Sequence, residues 1–201
     1  MSPRRVDPAR QESRREALIR AGYAEILDKG IQGVTIDSVV ARANWSKGGA
    51  LHYFRSKEDL LFAIFEWLLA QVNRTLDEVA EGDASPRSKL ASELEVLFHS
   101  AEVNRKLYLM LVDLLSLGAR RQRFGSLIAG FFERCRKRDA AIVEDGIKQR
   151  QFRRVKPEDA AVTIRALVDG YCLQWLVGPA NSPIEAYRDR CRAVLGAYLL
   201  R

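Results

Sequence analysis

The run Ser46-Lys47-Gly48-Gly49-Ala50-Leu51-His52-Tyr53 holds the residues best placed to do chemistry. Read as a short helix, it is polar on one side, with Lys47 and His52, and apolar on the other, with Leu51 and Phe54. Two glycines inside a helix each cost roughly 1 kcal/mol relative to alanine. A close approach to another backbone would account for them. DNA phosphates supply one such backbone, and a tightly packed helix–helix crossing is the other reading. Catalysis finds less support. The chain has two histidines, His52 and His99, and Glu95 with His99 has the i, i+4 spacing of a metal-ligand pair on a predicted helix. No third ligand accompanies them, and neither a phosphate-binding glycine loop nor a nucleophile motif is present. A helical metal-dependent enzyme is therefore the minor alternative, with no catalytic residue, metal or cofactor implied.

Charge points to a polyanion. The 201 residues carry a net charge of +7. Residues 1–57 hold 11 Lys/Arg against 6 Asp/Glu, while the remaining 144 hold 22 against 20. The excess thus sits on the N-terminal quarter, as expected of a nucleic-acid partner, although a solvated basic tail carries the same signature. Cys135, Cys172 and Cys191 are odd in number and widely spaced, which fits reduced thiols in a cytoplasm. No apolar run approaches the ~20 residues that span a bilayer, and no secretory leader is read at the start.

The elements that position these residues are helical nearly throughout. Ile19, Tyr23 and Ile26 form an apolar stripe over residues 10–28, with Gly30 as a stop. Thr35 caps a helix carrying Ile36, Val39, Val40 and Ala43, which breaks near Asn44, a residue tolerant of the left-handed conformation. Ser46 caps a second helix to about Tyr53, and Ser56 with Asp59 opens a third. Residues 58–80 read as a long helix or a close pair, and 81–88 as a turn. Helical blocks follow at 88–103, 105–118 and 122–150. Pro157 at a first helical position starts a helix that Gly178-Pro179 stops near Val177. Ser182-Pro183-Ile184-Glu185 reads as a capping box opening the last helix, which runs nearly to Arg201.

Residues 35–54, two short helices joined by a tight turn, fit a helix-turn-helix. From Arg14 to Leu61 the order of parts resembles the DNA-binding domain of TetR-family regulators. Those parts are an amphipathic first helix, a glycine-bearing link, a Thr-led second helix, Ser-Lys-Gly-Gly, His-Tyr-Phe, then Ser-Lys-Glu-Asp-Leu-Leu. Residues 167–176, LVDGYCLQWL, look like the interface helix of the betaine-regulator-type branch. The turn departs from the family's Ala-Gly-Val-Ser, being Ala43-Asn44-Trp45-Ser46. Val40 and Ala50 exchange the usual small and bulky partners, a volume swap that cores tolerate. Leu51 replaces a common tyrosine, removing one phosphate contact.

The resemblance implies an all-α chain, with a three-helix DNA-binding domain at 12–72 and a larger helical effector-binding and dimerisation domain at 73–201. It implies that Lys47 and His52 read base edges, Gly48 and Gly49 allow close approach, and Thr35 and Ser46 cap phosphate-facing helix ends. Tyr53 and Lys57 hold phosphates. Arg4, Arg5 and Arg10 form an arm toward DNA or a solvated tail.

The helix 157–177 carries apolar residues over too wide an arc for a surface helix, and Ile184, Tyr187, Cys191, Val194 and Tyr198 form a coiled-coil-like seam. A homodimer is expected through Leu167, Tyr171, Trp175, Tyr187, Cys191, Val194 and Tyr198, with burial inside one chain as the alternative. Aromatics in the middle helices are the expected surroundings of an unknown small-molecule effector: Trp67, Phe98, Tyr108, Phe131, Tyr171 and Trp175. The function expected is a cytoplasmic repressor binding a palindromic operator of double-stranded DNA, without a membrane partner. A non-enzymatic architectural DNA-binding protein is the other alternative.

Overall fold

The computed structural model describes residues 8–179 and 181–200, leaving aside the side chains of Pro8 and Arg10. Arg4, Arg5 and the Arg10 side chain, expected in a basic arm, lie outside the described residues. Among those residues the regular structure is helical throughout, apart from one isolated antiparallel bridge between Phe152 and Leu200. The chain divides into two compact units, one up to Leu69 and one from Ala70 onward. The expected boundary stood at residue 72.

The first unit holds α1 (Pro8–Gly33), α2 (Ile36–Arg42), α3 (Lys47–Tyr53) and the start of α4 (Lys57–Glu81). α1 is interrupted at Gly30, where φ is +69°, a left-handed value that glycine takes without steric cost. Ile19 and Ile26 are buried as their spacing predicts, and Tyr23 packs edge-on against Trp67. Leu60, Ile64, Phe65 and Leu68 form the buried stripe of α4, and Ile64 fills the space that a side chain at Gly22 would need. Residues 58–80 are thus one continuous helix. Ser56 opens it as predicted, with its hydroxyl accepting from the Asp59 amide at 3.1 Å.

The second unit holds the end of α4, α5 (Pro86–Leu97), α6 (Ala101–Gly118), α7 (Gln122–Lys148), α8 (Pro157–Val177) and α9 (Ile184–Leu199). Its core gathers Leu90 and Leu94 from α5, Tyr108 from α6, Ile142 and Val143 from α7, and Ile164, Val168 and Cys172 from α8. α9 adds Cys191, Leu195 and Leu199.

Three expectations about this unit need correction. The block expected at 88–103 is two helices, because the Ser100 hydroxyl accepts from the Val103 amide at 3.3 Å and starts α6 there. The turn expected to last until residue 88 ends at Ser85, which caps α5 with Pro86 behind it. The capping box at Ser182 does not form. Pro183 takes the cap position without a side-chain bond, and the Ser182 carbonyl instead accepts from the Trp175 indole at 2.9 Å.

α8 also revises the membrane reading. By length and composition it could cross a bilayer. It is a core helix here, burying Ala160, Ala161, Ile164, Val168, Cys172 and Trp175.

Candidate nucleic-acid interface

The helix-turn-helix is assembled by local hydrogen bonds. The Thr35 hydroxyl accepts from the Ser38 amide at 3.0 Å, and the Ser38 hydroxyl accepts from the Thr35 amide at 3.1 Å. This reciprocal cap starts α2. Its end is a Schellman motif: the Asn44 amide donates to the Ala41 carbonyl at 3.2 Å and the Trp45 amide to Val40 at 2.8 Å. Asn44 has φ +57°, so an asparagine supplies the left-handed residue. The Ser46 hydroxyl then accepts from the Gly49 amide at 3.2 Å and starts α3. Val40 and Ala50 are both buried.

Trp45 does more than close the turn. Its ring meets Tyr53 edge-on, with centroids 6.0 Å apart, and the Arg14 guanidinium lies over it at 5.6 Å. It thereby braces both ends of α3 against α1. Pattern reading singled out Trp45 only as a departure, and missed Arg14. The available signal was a large aromatic in the turn just before the Ser46 cap, next to a helix that ends in another aromatic, Tyr53.

The expected reading residues are displayed outward. Lys47, Gly48 and His52 are exposed, and Tyr53 is half-buried between Trp45 and the His52 ring, whose centroid is 5.4 Å away. A side chain built at Gly48 would meet nothing within 4 Å, so internal packing does not explain that glycine. One at Gly49 would sit 3.1 Å from the Ser46 hydroxyl and 3.6 Å from Trp45. Lys47 pairs with Asp37 across the turn at 2.9 Å. Both groups are well exposed, and such a pair stabilises by less than about 1 kcal/mol, so Lys47 can exchange partners at little cost. The Lys57 ammonium donates to the Gln32 carbonyl at 3.1 Å, beside the end of α1.

A buried carboxylate fastens α2 to α1. Glu25 accepts from Arg42 at 2.6 Å and Lys29 at 2.8 Å, and Arg42 also reaches Asp28. Hydrogen bonds from Lys29, Arg42 and Ser38 hold the Glu25 carboxyl down at about 2, below its usual 4.5.

In the second unit the seven residues expected at a dimer interface separate into two groups. Trp175 and Cys191 turn into the chain's own core and have almost no outer surface. Leu167, Tyr171, Tyr187 and Tyr198 are partly buried against that core, and Val194 is exposed. Tyr171 and Tyr187 meet edge-on at 6.5 Å.

The six residues expected around an effector do not gather in one place. Phe98, Tyr108 and Trp175 are buried core members, with Tyr171 packed at their edge. Phe131 lies beside Phe132 on α7. Trp67 belongs to the first unit, under the Arg20 guanidinium at 5.5 Å. What pattern reading missed is the charge inside this unit: Glu93, Arg138, Asp139 and Arg165 are all buried. Glu95, considered above as a metal ligand, pairs instead with Arg188 and Arg192 of α9.

Comparison with known proteins agrees with this architecture. Residues 18–64 match the model of the bacterial regulatory proteins of the tetR family, and residues 86–200 match that of the C-terminal region of BetI-type transcriptional repressors. The chain is 25% identical over 195 residues to the HTH-type transcriptional regulator PksA of Bacillus subtilis, covering 96% of this chain and 90% of that one. It is 24% identical over 189 residues to the nicotine-responsive transcriptional repressor HdnoR of Paenarthrobacter nicotinovorans, covering 94% and 95%. A transcriptional regulator from Saccharomonospora viridis, crystallised in complex with choline, shares the fold with a TM-score of 0.87 at 18% identity, covering 95% of this chain and all of that one. With both of its units matched and its recognition helix displayed on a capped turn, the chain belongs to the TetR family of DNA-binding transcriptional regulators.

Proposed function

We propose that the chain is a repressor that binds a two-fold symmetric operator as a homodimer and leaves it when a small molecule binds the second unit. The observation that carries DNA reading is the outward surface of α3, where Lys47 and His52 flank a glycine with open space before it. In this reading Lys47 and His52 contact base edges in the major groove, and Gly48 and Gly49 bring the helix backbone close to the duplex. Tyr53 and Lys57 hold phosphates, along with the amide-rich starts of the helices capped by Thr35 and Ser46.

Dimerisation would use the remaining outer surface of α8 and α9: Leu167, Tyr171, Tyr187, Val194 and Tyr198. Two copies related by a two-fold axis would present their recognition helices to half-sites about one helical turn apart, or a multiple of it. The relative responsive to nicotine and the choline-bound neighbour support a small-molecule effector. The effector acts by favouring one arrangement of the helical unit, so effector and operator weaken each other reciprocally. Such a regulator works in the cytoplasm, where the DNA is.

The test is a selection of binding sites from random duplex DNA by the full chain. The expected product is an inverted repeat bound by two chains. Retention of DNA without an enriched sequence would replace this reading with that of an architectural DNA-coating protein.

A further inference from the structure

Helix α1 lays three arginines over aromatic rings of the first unit. Arg14 sits over Trp45 at 5.6 Å, Arg15 over Phe54 at 5.7 Å and Arg20 over Trp67 at 5.5 Å. Two of the three are neutralised on their own helix: Arg15 pairs with Glu12 at 3.4 Å and Arg20 with Glu16 at 2.8 Å. Arg14 differs. It is exposed, and among the described residues no carboxylate pairs with it.

The ring beneath Arg14 is fixed from three sides. The Trp45 amide is bonded to the Val40 carbonyl at 2.8 Å, which sets its backbone at the end of the turn. Its ring meets Tyr53 edge-on at 6.0 Å, and a side chain built at Gly49 would come within 3.6 Å of it. Trp45 therefore lies along the flank of the recognition helix, and whatever rests on it is placed beside that helix.

A guanidinium stacked by its face keeps its N–H donors at its edge, where the planar fork matches a phosphate. The ring attracts the cation without cancelling its charge. A paired carboxylate would instead occupy the same donors. A phosphate approaching Arg15 or Arg20 would meet Glu12 or Glu16; one approaching Arg14 meets donors and an uncompensated positive charge. Packing alone does not ask for a guanidinium at this place, since a cation over a ring at an exposed site holds little.

We propose that Arg14 is a further ligand of the DNA backbone, donating to a phosphate beside the recognition helix, and that Trp45 is the platform that aims it. This rests on the reading of α3 as the helix that enters the major groove. Arg14 touches DNA; Trp45 acts through Arg14 and is a positioning residue. The same ring also supports Tyr53, so one side chain aligns two phosphate contacts on the same flank.

The test is binding of the full chain to its selected operator and to an unrelated duplex, followed by fluorescence anisotropy over a series of salt concentrations. Arg14→Gln should weaken both duplexes by a similar factor, about five- to tenfold at moderate salt, and lower the salt slope by about one phosphate contact. Arg20→Gln, which removes an acid-paired arginine from the same helix, should leave the slope unchanged. Arg14→Lys should keep the slope and recover part of the affinity, because the charge remains and the planar fork is lost. Trp45→Phe should stay near wild type. In a Trp45→Leu background the further change Arg14→Gln should cost less than about twofold, because the arginine has lost its aim. An unchanged slope in Arg14→Gln would overturn the proposal, and would do so whether or not affinity falls: a fall accompanied by a lower melting temperature would mark the stack as a brace between α1 and α3. An equal loss of slope in Arg20→Gln would also overturn it, replacing a specific ligand with the general charge of α1. A wild-type chain that holds no duplex would overturn both the proposal and the reading of α3, whereas full operator binding with an unchanged slope in Arg14→Gln overturns the proposal alone.

Discussion

The two units of this chain keep their chemistry on opposite sides of their surfaces. In the first unit the proposed reading side chains Lys47 and His52 are exposed, and the buried charge of Glu25 is engaged by Lys29 and Arg42. In the second, the carboxyls of Glu93 and Asp139 are buried with no nitrogen or hydroxyl donor bonded to them, and burial with the charge of Glu93 beside it raises Asp139 above the usual carboxylate range. A surface that reads a long polyanion must be displayed ready-made, so its unit satisfies its own interior first. A buried acid without a full counter-charge instead costs its unit stability. The pH response of each unit, its tolerance of substitution and its legibility in the sequence follow from that difference.

The largest expected effect would come from breaking the proposed dimer. Val194→Glu places a charge on the exposed edge of α9 while sparing the core residues Cys191 and Leu195. Sedimentation should show a monomer, and operator affinity should fall by roughly 100-fold as two linked contacts become one. A variant that stays dimeric would move the interface off α9. Within the first unit, His52→Ala should cost about 1–3 kcal/mol on the operator and relax preference at one base position in each half-site. An unchanged ranking across an operator panel would remove His52 from base reading. Lys57→Ala should weaken every duplex to a similar degree and flatten the salt dependence by about one phosphate contact. An unchanged salt slope would leave Lys57 with only its bond to Gln32.

The smallest effects sharpen the contrast through pH. Glu25 is held at about 2 in the folded state against an ordinary 4.5. Its contribution is therefore present above about 4.5 and is lost as pH falls toward 2. Asp139 is displaced the other way: the folded chain binds a proton that the unfolded chain gives up above 3.8. Its burden on stability is felt at neutral pH and relieved on acidification. Melting curves from pH 7 downward should show Asp139→Asn flattening the gain on mild acidification and Glu25→Gln flattening the loss below 4.5. The opposite pairing of variant and limb would contradict the assignment.

What could be read from the sequence follows the same division. Thr35, Ser46 and Ser56 are caps whose hydroxyls act within three residues, so spacing alone revealed them. Asn44 at the turn was legible because few residues accept its left-handed backbone. The interior of the second unit was not legible. Glu93, Asp139 and Arg165 come from three helices, and each reads locally as an ordinary surface residue. Only packing turns them inward. Aromatic residues misled for the same reason: Phe98 and Tyr108 are core, and Trp67 serves the first unit. The Ser182 capping box failed because the Ser182 amide, which Glu185 would have to engage, donates to the Pro179 carbonyl at 2.9 Å, a partner that the pattern does not reveal.

A displayed α3 is tested most directly by one substitution read in two ways. Gly48→Ala puts a methyl group into open space in the free protein. The folded chain should gain up to about 1 kcal/mol, because alanine favours the helix more than glycine does. The same methyl group should lower operator affinity by about tenfold where it meets the DNA backbone. Higher stability with weaker operator binding is the predicted result. Higher stability with undiminished operator binding would contradict the close approach of α3 to DNA.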